Sequence, residues 1–361
     1  MLRTDGWLGI GTYNDTPGSP SLLAQLDQAS DLLGPRGWVV IFFTPLLGPG
    51  QHPDTQQMND RLNAAYKRDL RVILRLGWSG AMRDMADTDT NRTRYTTAAQ
   101  ILSAVVSRLS LPPPSLGPLL VHAGNELNAC NEWRCSNTTG AVLSLTERAA
   151  EVAGFMHDSL TALSALEAAH NGSLSVAHAS IASWQHDGCQ CVSNEPVGPG
   201  RPGTYFLAQL LSRQPSLYQS AQWLSSHSYP YSNANYSSAP TSKAMRGLTY
   251  YRSELQLIGS SLPVAITETS WARGAVSNPV SAADQAAWLS RAAEEIWAPD
   301  RAVLTVCPFL LVGRFWEAKG WPFVTCPPGN ASAPCTSSHE KMPVYDAWQR
   351  VARNPRLVER R

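Results

Sequence analysis

Short apolar runs rich in Val, Ile, Leu and Trp alternate along the chain with longer segments whose apolar residues recur at helical spacing. The runs at 7–13, 38–44, 71–77, 119–125, 174–181, 223–229, 263–269 and 302–309 predict strands. The segments 21–33, 55–69, 96–109, 142–169, 204–214, 242–258, 282–296 and 343–351 predict helices. Many of the strand runs are almost continuously apolar, as a parallel sheet covered on both faces requires. Eight strands, each followed by a helix, predict an α/β fold of one architecture, a single (β/α)8 TIM barrel with extended βα loops, with 1–361 as one domain. A doubly wound sheet would use fewer units. The Gly/Pro-rich stretch 196–203 reads as one of the long βα loops rather than as a boundary between domains.

Composition narrows the partners. With 43% hydrophobic and 16% charged residues, the 361-residue chain is neither disordered nor fibrous. Its 29 basic and 28 acidic side chains leave a formal charge of +1, so nothing argues for nucleic acid or for an anionic membrane surface. No apolar run approaches the roughly 20 residues of a membrane span. The 12 Trp and 11 Tyr outnumber the 7 Phe, a skew towards aromatics with a polar handle that suits stacking on a partly polar ligand.

Two features point to an oxidising compartment. Asn-x-Ser/Thr acceptors for N-linked glycans occur at Asn14, Asn91, Asn137, Asn171, Asn235 and Asn330. The cysteines Cys130, Cys135, Cys189, Cys191, Cys326 and Cys335 sit in polar, turn-rich segments where disulfides tie loops. Cys130 with Cys135, and Cys326 with Cys335, would each close a short loop, whereas Cys189 and Cys191 are too near to pair easily with one another. Cys307, in an apolar run, is the natural one left over. The expected location is secreted, extracellular at a cell wall, or the lumen of the secretory or vacuolar pathway. Residues 1–9 carry no apolar signal region, so a signal trimmed from the chain is part of that expectation.

Active sites of such barrels are built where strands end and βα loops begin. Those positions hold Tyr13 and Asn14, Arg75 and Trp78, Asn125 and Glu126, His227 and Tyr229, and Glu268. Val264, Ile266 and Glu268 share parity on the seventh run, so if the first two point into the barrel the carboxylate does too; Gly124 and Glu126 behave alike on the fourth. Two carboxylates facing one cavity, with no metal-ligand cluster, nucleophile elbow or phosphate-cradling loop, are equipment for glycosidic bond cleavage. One must hold a proton for the leaving oxygen, and the other must stay ionised.

Gly124-Asn125-Glu126, His227-Ser228-Tyr229 and Thr267-Glu268-Thr269 resemble the active-site motifs of the clan A glycoside hydrolases, retaining enzymes on a (β/α)8 barrel. The resemblance covers the order and spacing of barrel elements over nearly the whole chain, through motifs of a few residues each. It implies Glu126 as general acid/base, Glu268 as nucleophile, Asn125 on the sugar 2-hydroxyl, Tyr229 as donor to Glu268 and His227 lining the same subsite. A retaining mechanism needs the two carboxyl groups about 5 to 5.5 Å apart. It also implies a β-linked carbohydrate substrate with no cofactor and no metal; the near-zero charge points to a neutral glycan, and the long βα loops and scattered tryptophans to an open cleft and attack within the chain.

The pattern is incomplete in places. Clan members commonly place a Trp at the end of the eighth strand, where this chain has Cys307-Pro308-Phe309, and its nearest tryptophans follow at Trp316 and Trp321. Arg75 has either a substrate-site or a structural ion-pairing role, and Trp78 and Trp271 are the stacking candidates. Glu132 lies in the loop beyond Glu126 and is not preceded by Asn, so it stands outside the expected site. His122 and His178 read as core histidines, His186 with Cys189 and Cys191 make a poor metal site, and Gly9-x-Gly11 lacks the remainder of a dinucleotide fingerprint. The rival class is a catalytically silent carbohydrate-binding barrel, lectin-like or of the cell wall. A serine hydrolase fits less well, since no Ser, His and Asp occupy strand ends together. Oligomeric state is not legible.

Overall fold

The computed structural model describes residues 6–12, 21–46, 54–78, 95–129, 132–133, 143–183, 203–230, 239–240, 245, 247–274, 279–312, 317, 320–325, 340–355 and 357. Among these the eight expected runs each contain a strand: β1 (Gly9–Gly11), β2 (Trp38–Leu46), β3 (Arg71–Trp78), β4 (Leu119–Ala123), β5 (Leu174–His178), β6 (Leu224–His227), β7 (Val264–Glu268) and β8 (Val303–Val306). Strands β1 to β5 pair in order, all parallel. Strands β6, β7 and β8 do the same. Parallel bridges Ala182↔His227 and Leu8↔Val306 join the two sets at both edges, so the sheet closes on itself as a (β/α)8 barrel.

Helices α1 (Leu22–Leu33), α2 (Thr55–Lys67), α3 (Thr96–Val106), α4 (Leu145–Ala169), α5 (Gly203–Arg213), α6 (Tyr250–Ile258), α7 (Ala282–Ala292) and α8 (Pro343–Ala352) follow the strands. Their starts are written in the sequence. The side chains of Ser21, Asp54, Ser144 and Ser281 each accept from a backbone N–H three residues on, satisfying donors that a helix cannot satisfy itself. At α4 the Glu147 carboxylate returns the bond to the Ser144 N–H at 2.8 Å, completing a capping box. The last helix closes the ring: Trp348 Nε1 donates to the Gly9 carbonyl (3.1 Å), and Asp31 of α1 accepts from Tyr345 Oη and Lys341 Nζ, both at 2.9 Å.

Strand alternation divides the apolar residues into two cores. The larger lies between the sheet and the helices. The smaller fills the barrel interior with Trp38, Val40, Ile73, Leu120, Ala177, Trp223, Ala265 and Cys307. Cys307 is buried and unpaired, and its sulfur lies where a side chain on Gly9 would sit, so β1 can approach only as glycine. The other six cysteines lie outside the described residues, as do His186, the acceptors Asn14, Asn91, Asn137, Asn235 and Asn330, and most of the 196–203 loop. Asn171 is exposed in the turn between α4 and β5. Among the described residues no helix is long and apolar enough to cross a membrane.

One expectation about the interior is corrected. On β7 it is Ala265 that belongs to the inner core, while Val264 and Ile266 face the helices. Parity would then send Glu268 outward. The register with β6 slips: Ser226 pairs with Ile266 but His227 with Glu268, leaving Thr267 as an extra residue. Such a bulge lets consecutive side chains share a face. Thr267 bonds inside the barrel to Ser225 Oγ (2.8 Å) and Ser180 Oγ (3.1 Å), and Glu268 still reaches the cavity above them.

Candidate active site

The site is assembled around Arg75 of β3, which is buried and lies with its guanidinium 4.5 Å from the Phe42 ring centroid. Nη1 donates to Asn125 Oδ1 at 2.7 Å and, in a shorter bond, to Glu268 Oε1. Nη2 lies 3.3 Å from His227 Nε2. Guanidinium nitrogens only donate, so Nε2 must accept, and the ring proton of neutral His227 belongs on Nδ1. That N–H points at Glu126 Oε1, 2.8 Å away, with Glu268 Oε2 at 3.5 Å. Arg75 therefore fixes both a carboxylate and the tautomer of the imidazole beside it. Of its two expected roles, ion pairing and membership of the site, the geometry shows one residue in both positions.

Glu268 also accepts from Tyr229 Oη at 2.8 Å. Each of its oxygens thus has a donor of its own, which orients the carboxylate. Tyr229 is packed edge-on to Trp321, centroids 5.6 Å apart, and Trp321 in turn meets Phe309 at 6.3 Å. The end of the eighth strand thus carries Phe309 backed by Trp321, an aromatic wall assembled from two segments.

Glu126 is delivered by an abrupt exit from β4. Gly124 has φ +96, and a Cβ there would stand 2.9 Å from Leu127 Cδ2 and 3.1 Å from Ala179 Cβ, so only glycine fits. Glu126 itself has φ +34, a conformation unfavourable to a non-glycine residue. The turn is held by Asn128, which exchanges two bonds with the Ala182 backbone (3.0 and 2.8 Å), and by Arg148, whose Nη2 donates to the Asn128 carbonyl at 2.7 Å. Glu126 and Glu268 are largely buried, with side chains 14% and 10% exposed. One ligand atom from each of Glu126, His227 and Glu268 falls within 4.8 Å of the others. Arg75, Tyr229 and the His227 N–H already donate to oxygens of this cluster.

Asn125, Glu126, His227, Tyr229, Glu268 and Arg75 are therefore brought together. Trp78 ends β3, but its side chain lies outside the described residues, as do Tyr13 and Trp316. Trp271 corrects the expectation of stacking: it is fully buried, edge-on to Trp288 at 6.0 Å, and its carbonyl accepts from Gln285 Nε2 at 2.5 Å. It has no ring face to offer a sugar. His178 is a bonded core histidine, Nε2 lying 2.6 Å from the Leu217 carbonyl, and burial pushes its imidazole down to about 4. His122 is buried beside Trp223, and burial with the nearby Arg75 charge holds it well below the usual histidine range.

Glu132, set aside in the sequence, lies beside the site. The turn after Glu126 brings it back towards the site through the bonds Ala129 N to Glu126 O (2.6 Å) and Glu132 N to Ala129 O (3.1 Å). Its carboxyl bonds the Asn125 side chain and is pushed up to about 7, first by burial and then by the charge of Glu126. The only advance signal was a second Glu six residues on, a separation that one helix-like turn can fold back. Asn128, Phe309 and Trp321 were also passed over as site residues.

No family model matches the chain, and no curated protein matches it in sequence. Solved structures do. A GH5-4 broad-specificity endoglucanase from Clostridium longisporum superposes with TM-score 0.57 at 13% identity, over 98% of this chain and 99% of that one. A GH5_18 structure from Streptomyces cattleya, in complex with GlcNAc, gives TM-score 0.58 at 15% identity, over 98% and 80%. A family 39 glycoside hydrolase from Bacteroides cellulosilyticus WH2 gives TM-score 0.57 at 10% identity; 96% of this chain is covered but only 63% of that one, so this chain spans under two thirds of its length. These likenesses are to the barrel fold of glycoside hydrolases.

Proposed function

We propose that this chain is a retaining β-glycosidase, metal-independent and without a cofactor, acting on a neutral β-linked polysaccharide or oligosaccharide. One observation carries the reading. Two carboxylates from different strands, Glu126 and Glu268, come within 4.8 Å through their oxygens, one fixed by Arg75 and Tyr229 and the other facing His227. Carboxylate oxygens this near one another agree with the short spacing that direct attack on an anomeric carbon requires. The barrel likeness to glycoside hydrolases supports the same class.

The first step would form a bond from a Glu268 oxygen to the anomeric carbon while the glycosidic C–O bond breaks, Glu126 giving its proton to the departing oxygen. In the second, Glu126 takes a proton from water, the water oxygen bonds to the anomeric carbon, and the Glu268 ester bond breaks. Tyr229 and Arg75 would hold the Glu268 carboxylate on line for attack, and Asn125 would bond a substrate hydroxyl next to the reacting centre. Endo action at an open cleft, a secreted N-glycosylated form and a single catalytic domain over 1–361 belong to the same proposal. The exposed Asn171 acceptor supports the glycan, and a mass loss on treatment with a peptide N-glycosidase would check it.

The experiment is product release from β-linked glucans, mannans, galactans and xylans, for wild type beside Glu126→Gln and Glu268→Gln, each shown to be folded. Hydrolysis of one glycan that both substitutions abolish supports the reading. Sugar binding without hydrolysis, unchanged in Glu268→Gln, replaces it with a binding-only barrel.

A further inference from the structure

Asn125 has an amide whose two ends are spoken for by different neighbours. Its Oδ1 accepts from Arg75 Nη1 at 2.7 Å, which puts the NH2 group on the side where the Glu132 carboxyl makes its side-chain bond. The backbone at Glu132 is held in place. Its backbone N–H bonds Ala129, and the next residue, Trp133, is fully buried, edge-on to Tyr95 at 5.5 Å and donating through Nε1 to Glu151 at 3.1 Å. The turn that starts at Glu126 is therefore pinned in the core immediately after Glu132. Asn125 is only half-buried, so an incoming group can reach it.

We propose that Glu132 is a positioning residue of the active site: its carboxylate and the Arg75 guanidinium clamp the Asn125 amide from opposite ends, presenting the second Nδ2 hydrogen to a substrate hydroxyl. That the hydroxyl belongs to a sugar rests on the function proposed above. The clamp itself does not. Without Glu132, Arg75 still orients Oδ1, but the NH2 end has lost its acceptor and the amide can rotate. The groups facing Glu132 are Asn125 and Glu126 beyond β4, Arg75 of β3 and Glu268 of β7; Glu126 and Glu268 push its carboxyl up, and Arg75 and Asn125 pull it down. With its proton leaving at about 7, the acceptor strengthens as pH rises through neutrality and weakens below it.

The test is nuclear magnetic resonance of the full chain labelled with [15N]asparagine, the Asn125 NH2 signals being assigned by their loss in Asn125→Ala. In wild type those signals should follow an ionisation near 7. In Glu132→Gln, nearly isosteric and checked for folding by circular dichroism, they should stay constant over that range. In Glu126→Gln the midpoint should fall, because a like charge has gone. Signals that ignore pH in wild type, or that titrate unchanged in Glu132→Gln, overturn the clamp. If Glu132→Gln does not fold, an unmoved midpoint in Glu126→Gln overturns it instead. The glycosidase reading fails separately: a chain that cleaves no glycan but shows the coupled Asn125 titration keeps the clamp, and hydrolysis with a pH-insensitive Asn125 removes the clamp alone.

Discussion

The two ends of the barrel interior are made by the same strands and do opposite things. Trp38, Leu120, Trp223 and Ala265, at or near the strand starts, form a largely apolar floor that gains from burial, with the Arg71 charge stacked 5.3 Å over the Trp38 ring. At the far ends, Arg75, Asn125, Glu126, His227, Tyr229 and Glu268 bring charges and donors into a largely buried pocket, where each is held by another. Between them lies a layer of hydroxyls, Ser180, Ser225 and Thr267, within 2.6 to 3.1 Å of one another. Stability and chemistry are thus separated along the barrel axis.

Substitutions at the two ends should break the molecule in different ways. The largest effect on turnover belongs to the top: Glu268→Gln should lower glycan hydrolysis by about 10⁴-fold or more in a chain that still folds, with the melting temperature lowered because buried Arg75 loses its ionic partner. Steady-state rates and a melting curve measured together check this. At the floor, Trp223→Ala should cost about 3–5 kcal/mol of stability in denaturant unfolding while the folded fraction keeps its turnover; a rate lost without a stability change would erase the distinction between the ends.

Strand β6 offers a smaller test, because its two faces differ as the two ends do. His227 faces the pocket, whereas Ser226 faces α6 and donates to Glu254 Oε2 at 2.5 Å. Burial pushes the Glu254 carboxyl up to about 8 from an ordinary 4.5. The folded chain then keeps a proton that the unfolded chain releases, so this group's stabilisation is complete below about pH 4.5 and is lost as pH rises towards 8. Glu254→Gln should flatten that decline in unfolding measured across the interval, leaving turnover intact. The smallest change is Tyr229→Phe, which removes one donor to Glu268; a rate loss of about 10- to 100-fold is expected, the equivalent of one hydrogen bond to a charged group. A loss as large as that of Glu268→Gln would mean that Tyr229 does more than orient the carboxylate.

Much of the barrel was legible because its signal is local. Apolar runs such as 38–44 and 71–77 announce β2 and β3, and helical spacing over 142–169 announces α4. The short motifs at 124–126, 227–229 and 267–269 also located the carboxylate pair, since each sits where a strand ends. What could not be read was set by geometry between segments. The side from which Glu268 enters depends on the slip at Thr267, which no alternation pattern reveals. Trp271 looks like a loop aromatic until Trp288 and Gln285 seal it from another element. Glu132 lacks any motif, and a backbone turn, rather than sequence proximity, carries it to Asn125.

The most direct measurement of the central claim is to trap the intermediate with a 2-deoxy-2-fluoro glycoside bearing an activated leaving group, matched to whichever glycan is cleaved, and to map the labelled peptide by mass spectrometry. The account predicts one glycosyl adduct, on Glu268. An adduct on Glu126 or any other side chain would contradict it.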